Sequence, residues 1–226
     1  MSKRAEIAEL IWKGSDPFEA IKPTIPDFQG WASDHPYLRR AIGEIRPSIC
    51  LEIGVWKGGS VITMAEEMNK LGIDGAIIAV DTWLGAWDHW LQPEWFSHLK
   101  FENGYPTIFN TFVANIVARK LEDKVIPLPL DSLNAAKVVS HYGIAIDLLH
   151  IDGGHDFSAV TADLNAWWPL LREGGILIGD DYHSSGDTWP EVRAAFQSFF
   201  STTQIEAVDG KCYIKKKVVS RLRANP

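Results

Sequence analysis

At 226 residues, with 46% apolar and 23% charged residues, the chain is long enough to bury one full core without staples and has the make-up of a soluble globule. Its formal net charge of −7 argues against general affinity for nucleic acid or anionic membranes. The exception is a basic end, Lys215-Lys216-Lys217 with Arg221 and Arg223, which reads as a solvated tail.

The first stretch, MSKRAEIAELIWKG, is too polar for a signal peptide or a membrane span and reads as a short amphipathic helix. Residues 17–35 hold Pro17, Pro23, Pro26 and Gly30, which predicts an irregular segment. A helix over Tyr37–Ile45 then leads into Ile49–Ile53, an apolar run of strand length without alternation, expected to be buried on both faces. A helix follows from Gly58 to Leu71, then a second buried strand, Ala76–Asp81. Residues 82–104 are rich in aromatics and carry no assignable period. Helices are expected over Thr107–Lys120, Ser132–Tyr142, Ser158–Leu171 and Pro190–Phe200. Strands are expected over Lys124–Leu128, Ala145–Ile151 and Gly175–Gly179. Gln204–Val208 and Cys212–Lys216 flank Asp209-Gly210, a strong hairpin signal.

Five alternations of strand and helix ending in a hairpin predict an α/β fold: a Rossmann-like, doubly wound, mostly parallel sheet with a C-terminal antiparallel hairpin. The predicted organisation is an N-terminal segment over 1–35, one domain over 36–216 with 82–106 as a candidate lid, and a tail over 217–226. Cys50 and Cys212 lie in strand-like runs without metal-type spacing, so they read as buried reduced thiols of a cytoplasmic protein.

Ligands of such sheets bind outside the carboxyl ends of the strands, so the residues that follow each strand are the candidates. After the first comes Glu52-x-Gly54-x-x-x-Gly58-Gly59-Ser60. Gly54 allows a tight turn, and Gly58 would let a ligand lie against bare backbone at the start of a helix. The spacing departs from G-x-G-x-x-G. Asp81, after the second strand, is placed to take both hydroxyls of a ribose. Asp131-Ser132 reads equally as a helix cap or as a polar rim for an adenine ring. Asp152-Gly-Gly-His155 and Asp180-Asp181-Tyr182 end the fourth and fifth strands. Three like charges so close raise one another's pKa unless a hard dication sits between them, or unless the Asp180-Asp181 pair opens into water. His155 could take a proton from a hydroxyl held nearby, or could simply start a helix. His150, inside a strand, reads as a core histidine, and His183 as a rim residue or a ligand.

Taken together, LEIGVWKGGS, AVDTWLG, LPLDS, LLHIDGGHDFSAVTADLNAWWPLLREGG and ILIGDDY resemble class I S-adenosylmethionine-dependent methyltransferases over roughly residues 36–216. The paired IDGGH and GDDY segments resemble the small-molecule, macrolide sugar-type branch of metal-dependent O-methyltransferases. The resemblance implies that Glu52, Gly54, Gly58 and Ser60 line the methionine part of S-adenosylmethionine. It implies Asp81 at the ribose, Trp83 against the cofactor, and Asp131 with Ser132 at the adenine. It puts Mg2+ on Asp152, Asp180 and Asp181, gives Asp152 a share in both cofactor pocket and catalysis, and makes His155 the general base. Catechol enzymes carry a lysine near the base position, and none stands at 153–157, so an aliphatic hydroxyl of a sugar or natural product is the expected acceptor. Magnesium would lower that hydroxyl's pKa and histidine would remove its proton.

The segment DTWLGAWDHWLQPEWFSHLKFENGYP, residues 81–106, reads either as sheet covering or as a lid. As a lid it would offer Trp87, Trp90, Trp95 and Phe96 as a stacking wall, with Gly85 and Gly104 as hinges. Two other functions fit the same residues: an iron oxygenase-like enzyme using two carboxylates and His155, and a non-catalytic cofactor-binding module. The expected partners are a small-molecule acceptor and a second copy of the chain, with no nucleic acid and no membrane.

Overall fold

A computed structural model describes residues 1–19, 25–183 and 189–218; Pro23, Arg221 and Arg223 lie outside the described residues. The first helix, α1 (Lys3–Trp12), is capped by Ser2, whose hydroxyl accepts the Ala5 N–H. It is part of the core: Ile7 and Ala8 are buried, and the Trp12 indole donates to the Pro127 carbonyl at 2.9 Å. Next come α2 (Pro36–Ile45), β1 (Ile49–Ile53), α3 (Gly59–Lys70) and β2 (Ala76–Val80). Both strands are buried at every position, as their unalternating apolar runs require.

The aromatic stretch left unassigned by its sequence folds into α4 (Trp87–Leu91), α5 (Pro93–Leu99) and a small hairpin, β3 (Phe101–Glu102) with β4 (Tyr105–Pro106). Asn103 and Gly104 form its turn with φ of 50° and 83°. That dipeptide suits a tight hairpin, and both residues adopt the left-handed region the turn needs. Then follow α6 (Ile108–Ala118), β5 (Val125–Leu128), α7 (Ser132–His141), β6 (Ile146–Ile151) and α8 (Phe157–Trp167).

Helix α8 stops sooner than predicted. Pro169 cannot donate an intrahelical bond, and residues 168–170 tighten into a 3-10 turn. Strand β7 (Leu171–Gly179) therefore begins at Leu171, four residues before the expected start. After α9 (Pro190–Phe199), β8 (Glu206–Val208) and β9 (Lys211–Lys215) form the predicted hairpin around Asp209-Gly210.

Among the described residues these strands form a seven-stranded sheet in the order β5-β2-β1-β6-β7-β9-β8. The first five pair in parallel, and β9 enters antiparallel beside β7, with Gly179 opposite Cys212. One face packs on α1, α7, α8 and α9 and the other on α2, α3 and α6, giving three layers around the sheet. The strand order reverses at β1, so the crevice between the ends of β1 and β6 is the switch point. Backbone bonds tie those ends together: Gly54 N–H to the Val80 carbonyl, Asp152 N–H to Ile53, and Asp180 N–H to Ile151.

Candidate active site

The tips of β1, β2, β5, β6 and β7 open into one cavity of about 800 Å3. It runs from Leu130, Asp131 and Ser132 past Gly54, Asp81 and Trp83 to Asp152, His155 and Asp181. A volume of this order accommodates a nucleoside and a small acceptor together.

Gly54 faces the cavity, but the contact that demands glycine is made by the protein. Its φ is +79°, and a Cβ there would lie 1.8 Å from the Asp152 carbonyl oxygen. Gly58, at φ +88°, has the Phe112 ring 2.8 Å from the place of a Cβ. Phe112, rather than a ligand, thus occupies the space that Gly58 leaves. Glu52 and Ser60 stand behind the cavity wall: the Ser60 hydroxyl donates to Glu52 Oε1, and both side chains are buried. Of the four residues expected along the methionine part, Gly54 is thus the one on the cavity surface, while Glu52, Gly58 and Ser60 shape what lies beneath it.

Asp81 organises the loop after β1. Its Oδ2 accepts the N–H groups of Val55 and Trp56 at 2.9 and 2.8 Å, and its Oδ1 accepts that of Trp83 at 2.7 Å. Burial pushes its pKa up in spite of these three bonds. An ionised carboxylate has about four acceptor sites, so Asp81 retains room for one ribose hydroxyl more readily than two. Trp83 is nearly enclosed: its indole donates to the Trp56 carbonyl at 2.9 Å, and its ring packs on Phe109 and Phe112. Trp56, Trp83 and Asp181, all on the cavity, have φ of 52°. Bulky residues seldom hold that conformation, and each instance costs about 1–3 kcal/mol, which the surrounding bonds must offset.

At the β5 end, Asp131 caps α7 through the Asn134 N–H, and Ser132 donates to Asp163 at 2.5 Å while accepting the Trp167 indole N–H at 2.8 Å. Burial lifts Asp163 to about 6 against the opposing Ser132 bond. Asp163 lies mid-helix in sequence, and only the docking of α8 beside α7 turns it to the cavity.

At the other end, His155 Nε2 is 3.1 Å from Asp181 Oδ2 and its Nδ1 is 3.7 Å from Asp88 Oδ2. The imidazole stacks on Trp189 at 4.2 Å. Loss of hydration disfavours its charged form, but the Asp181 bond and the charges of Asp181 and Asp88 outweigh this and raise its pKa above 6.5. Asp88, from the aromatic segment, was not a sequence candidate. The far wall is aromatic: Trp56 stacks on His89 at 4.5 Å, and Trp31 and Trp95 close around them. Of the predicted stacking wall, Trp95 lines the cavity, whereas Trp90 and Phe96 pack on Phe101 beside it. The buried Lys57 ammonium secures this wall by bonding Asp27, Gln29 and His98.

Two of the three carboxylates expected to hold magnesium are engaged elsewhere. Mg2+ requires oxygen ligands in near-octahedral array at about 2.0–2.1 Å. Asp180 Oδ2 instead bonds the buried Lys211 ammonium, and Asp181 faces His155 and, at 3.5 Å, His183. As folded, this donor set does not fit magnesium. Among the described residues, the metal-type atoms that do converge are those of Glu52, His150 and Asp152, within 4.8 Å of one another. His150 is a core residue but not a satisfied one: its Nδ1 lies 3.4 Å from Glu52 Oε2, yet neither of these atoms nor its Nε2 makes a hydrogen bond.

Residues 51–182 match a family model described as a methyltransferase domain. The chain belongs to this family. The chain shares 28% identity over 158 residues, 68% of its length, with an uncharacterized protein of Acanthamoeba polyphaga mimivirus, and this match spans 60% of that relative's length. Its fold is that of solved O-methyltransferases. The Bacillus cereus O-methyltransferase in complex with SAH superposes with a TM-score of 0.56 at 16% identity, over 95% of this chain and 90% of that one. TomG of Streptomyces achromogenes, solved with SAM, gives 0.57 at 13%, over 95% and 89%. A calicheamicin methyltransferase gives 0.57 at 17%, over 79% and 76%. No helix among the described residues is long and apolar enough to cross a membrane.

Proposed function

We propose that the chain is an S-adenosylmethionine-dependent O-methyltransferase acting on a hydroxyl of a small neutral or cationic molecule. The observation that carries this reading is the single cavity that joins Asp81 and its loop to the His155–Asp181 pair across the switch point of the sheet. When bound, S-adenosylmethionine supplies an electrophilic methyl group on a sulfonium. Asp81 would meet its ribose, Asp131 and Ser132 would border the adenine, and an acidic cavity suits its positive charge.

His155 would act on the acceptor. Asp181 orients the ring through Nε2 and, with Asp88 facing Nδ1, stabilises the imidazolium that results when the neutral ring takes the hydroxyl proton. Trp189 fixes the ring plane, and the Trp31, Trp56, His89 and Trp95 wall holds the acceptor and excludes water. Positioning of this kind contributes on the order of 7–11 kcal/mol to such a displacement.

Charge narrows the acceptor. Seven aspartates and no lysine or arginine line the cavity among the described residues. The calicheamicin enzyme is named a TDP-rhamnose 3'-O-methyltransferase. This cavity offers no cation to a phosphate, so a nucleotide-linked acceptor is disfavoured and an uncharged sugar, a polyol or an amine-bearing aromatic alcohol is favoured. The test is calorimetric titration with S-adenosylmethionine, followed by a methyl-transfer screen of neutral, cationic and phosphorylated alcohols with His155→Gln as control. Saturable binding, transfer to uncharged or cationic alcohols and a roughly 100-fold or greater loss in the variant are expected. Absence of cofactor binding would overturn the reading.

A further inference from the structure

At the cavity floor Lys211 brings a buried positive charge to Asp180, close enough to Asp152 and Glu52 for their charges to act on it. Lys211 reaches them from the first position of β9, and its side chain is 1% exposed. The register explains how. Gly179 pairs with Cys212, so Lys211 lies beside Asp180, the residue that follows β7, and its ammonium bonds Asp180 Oδ2. A buried ammonium ordinarily loses its proton; here Asp152, Asp180 and Glu52 hold it charged. The same ammonium holds the Asp180 pKa down against its burial, whereas burial and the charge of Asp180 push Asp152 well up.

We propose that Lys211 is the resident cation of this site, taking the charge-neutralising place that a divalent metal would hold between Asp152 and Asp180, so that the enzyme works without a metal. The claim rests on the reading of the cavity as a methyl-transfer site only for turnover; cation occupancy is a separate property of the folded chain. Lys211 touches neither the cavity surface nor His155, so it is a positioning residue. Its ammonium fixes Asp180, and through the chain the adjoining Asp181, which orients His155. It also makes magnesium binding redundant, because a dication placed beside an ammonium would meet its repulsion and compete for the same oxygen atoms.

The decisive test exchanges the cation. Lys211→Met keeps the length of the side chain and removes its charge, which frees the Asp180 oxygen near the converging Glu52, His150 and Asp152 atoms. Purified, chelator-treated protein is titrated with Mn2+, and the free ion is followed by electron paramagnetic resonance. Wild type and Lys211→Arg are expected to take up no Mn2+ that depends on Asp180. Lys211→Met is expected to take up about one equivalent, with a rise in melting temperature that Mg2+ reproduces. The neutral double variant Lys211→Met with Asp180→Asn carries no unpaired Asp180 charge, and is expected to fold and to lose that uptake. Chelator is expected to leave wild-type turnover unchanged. Stoichiometric Mn2+ uptake by wild type that Asp180→Asn abolishes would overturn the proposal, whether or not Lys211→Met folds. So would a folded Lys211→Met that gains none. Titration of the same samples with S-adenosylmethionine reports on the cofactor reading independently: a wild-type chain that binds neither ligand fails that reading alone.

Discussion

Asp181→Asn removes one charge from the proposed base and leaves its shape. The pair is 3.1 Å apart, with the His155 and Asp181 side chains 23% and 24% exposed, so it is neither dry nor fully wet. Coulomb's law at an effective dielectric constant between about 20 and 80 places the attraction at roughly 1–5 kcal/mol, and screening at this exposure favours the lower part of that range. A change of one pKa unit corresponds to about 1.4 kcal/mol. The variant should therefore move the His155 titration acidward by about one pH unit, with Asp88 supplying the remaining opposite charge. Two signs follow. The neutral imidazole is the base, so kcat/KM rises with pH through a value above 6.5 in wild type, and that limb shifts to lower pH in the variant. The raised pKa also stabilises the fold below the unfolded value near 6.5, a contribution lost as pH rises through the folded value; Asp181→Asn should flatten that loss. Carbon-13 histidine spectra over a pH series, with His155→Gln to assign the resonance among the seven histidines, read the titration without knowledge of the acceptor. A His155 resonance that keeps its midpoint, or moves alkaline, would refute the pairing.

Three further outcomes can be measured. Gly54→Ala places a methyl group 1.8 Å from a backbone oxygen at a positive φ, and neither side can move cheaply, so urea denaturation should show a loss of at least about 3 kcal/mol or no folded protein. Asp163 titrates at about 6 when folded; the folded state therefore binds the extra proton, and stability should fall as pH rises from about 4 to 6, by on the order of 2–3 kcal/mol, with Asp163→Asn removing the slope. Trp56→Ala breaks the stack with His89, and acceptor KM should rise several-fold while cofactor affinity, measured by calorimetry, changes less; equal losses in both would show that the aromatic wall does not belong to the acceptor side.

The sheet was legible because its strands advertise themselves. Ile49–Ile53 and Ala76–Val80 are unalternating apolar runs of strand length, and both are buried at every position, as a strand covered on both faces requires. Helix ends were legible where capping chemistry is local, as at Asp131, and displaced where one residue overrode the period, as at Pro169. The aromatic segment resisted because α4 and α5 are five and seven residues long, too short for a hydrophobic period to emerge, although Asn103-Gly104 did carry a turn signal.

The site was legible in its composition and not in its pairings. Spacing along the chain places Asp152, His155, Asp180 and Asp181 at neighbouring strand tips, because parallel strands bring their carboxyl ends to one edge. It does not state which charge faces which. Lys211 comes from an antiparallel strand that enters the sheet next to β7 after a hairpin, and in sequence it is merely the residue after a turn glycine. Asp88 comes from a helix of five residues, and Asp163 from the middle of α8. Each reaches the cavity or its floor only through packing between elements far apart in the chain. The three-carboxylate cluster therefore looked short of a cation, and the structure supplies one from within. A charge inventory of strand tips is incomplete until the strand that pairs antiparallel at the end of the parallel set has been placed, since its first residue here lies buried against the carboxylate that follows β7.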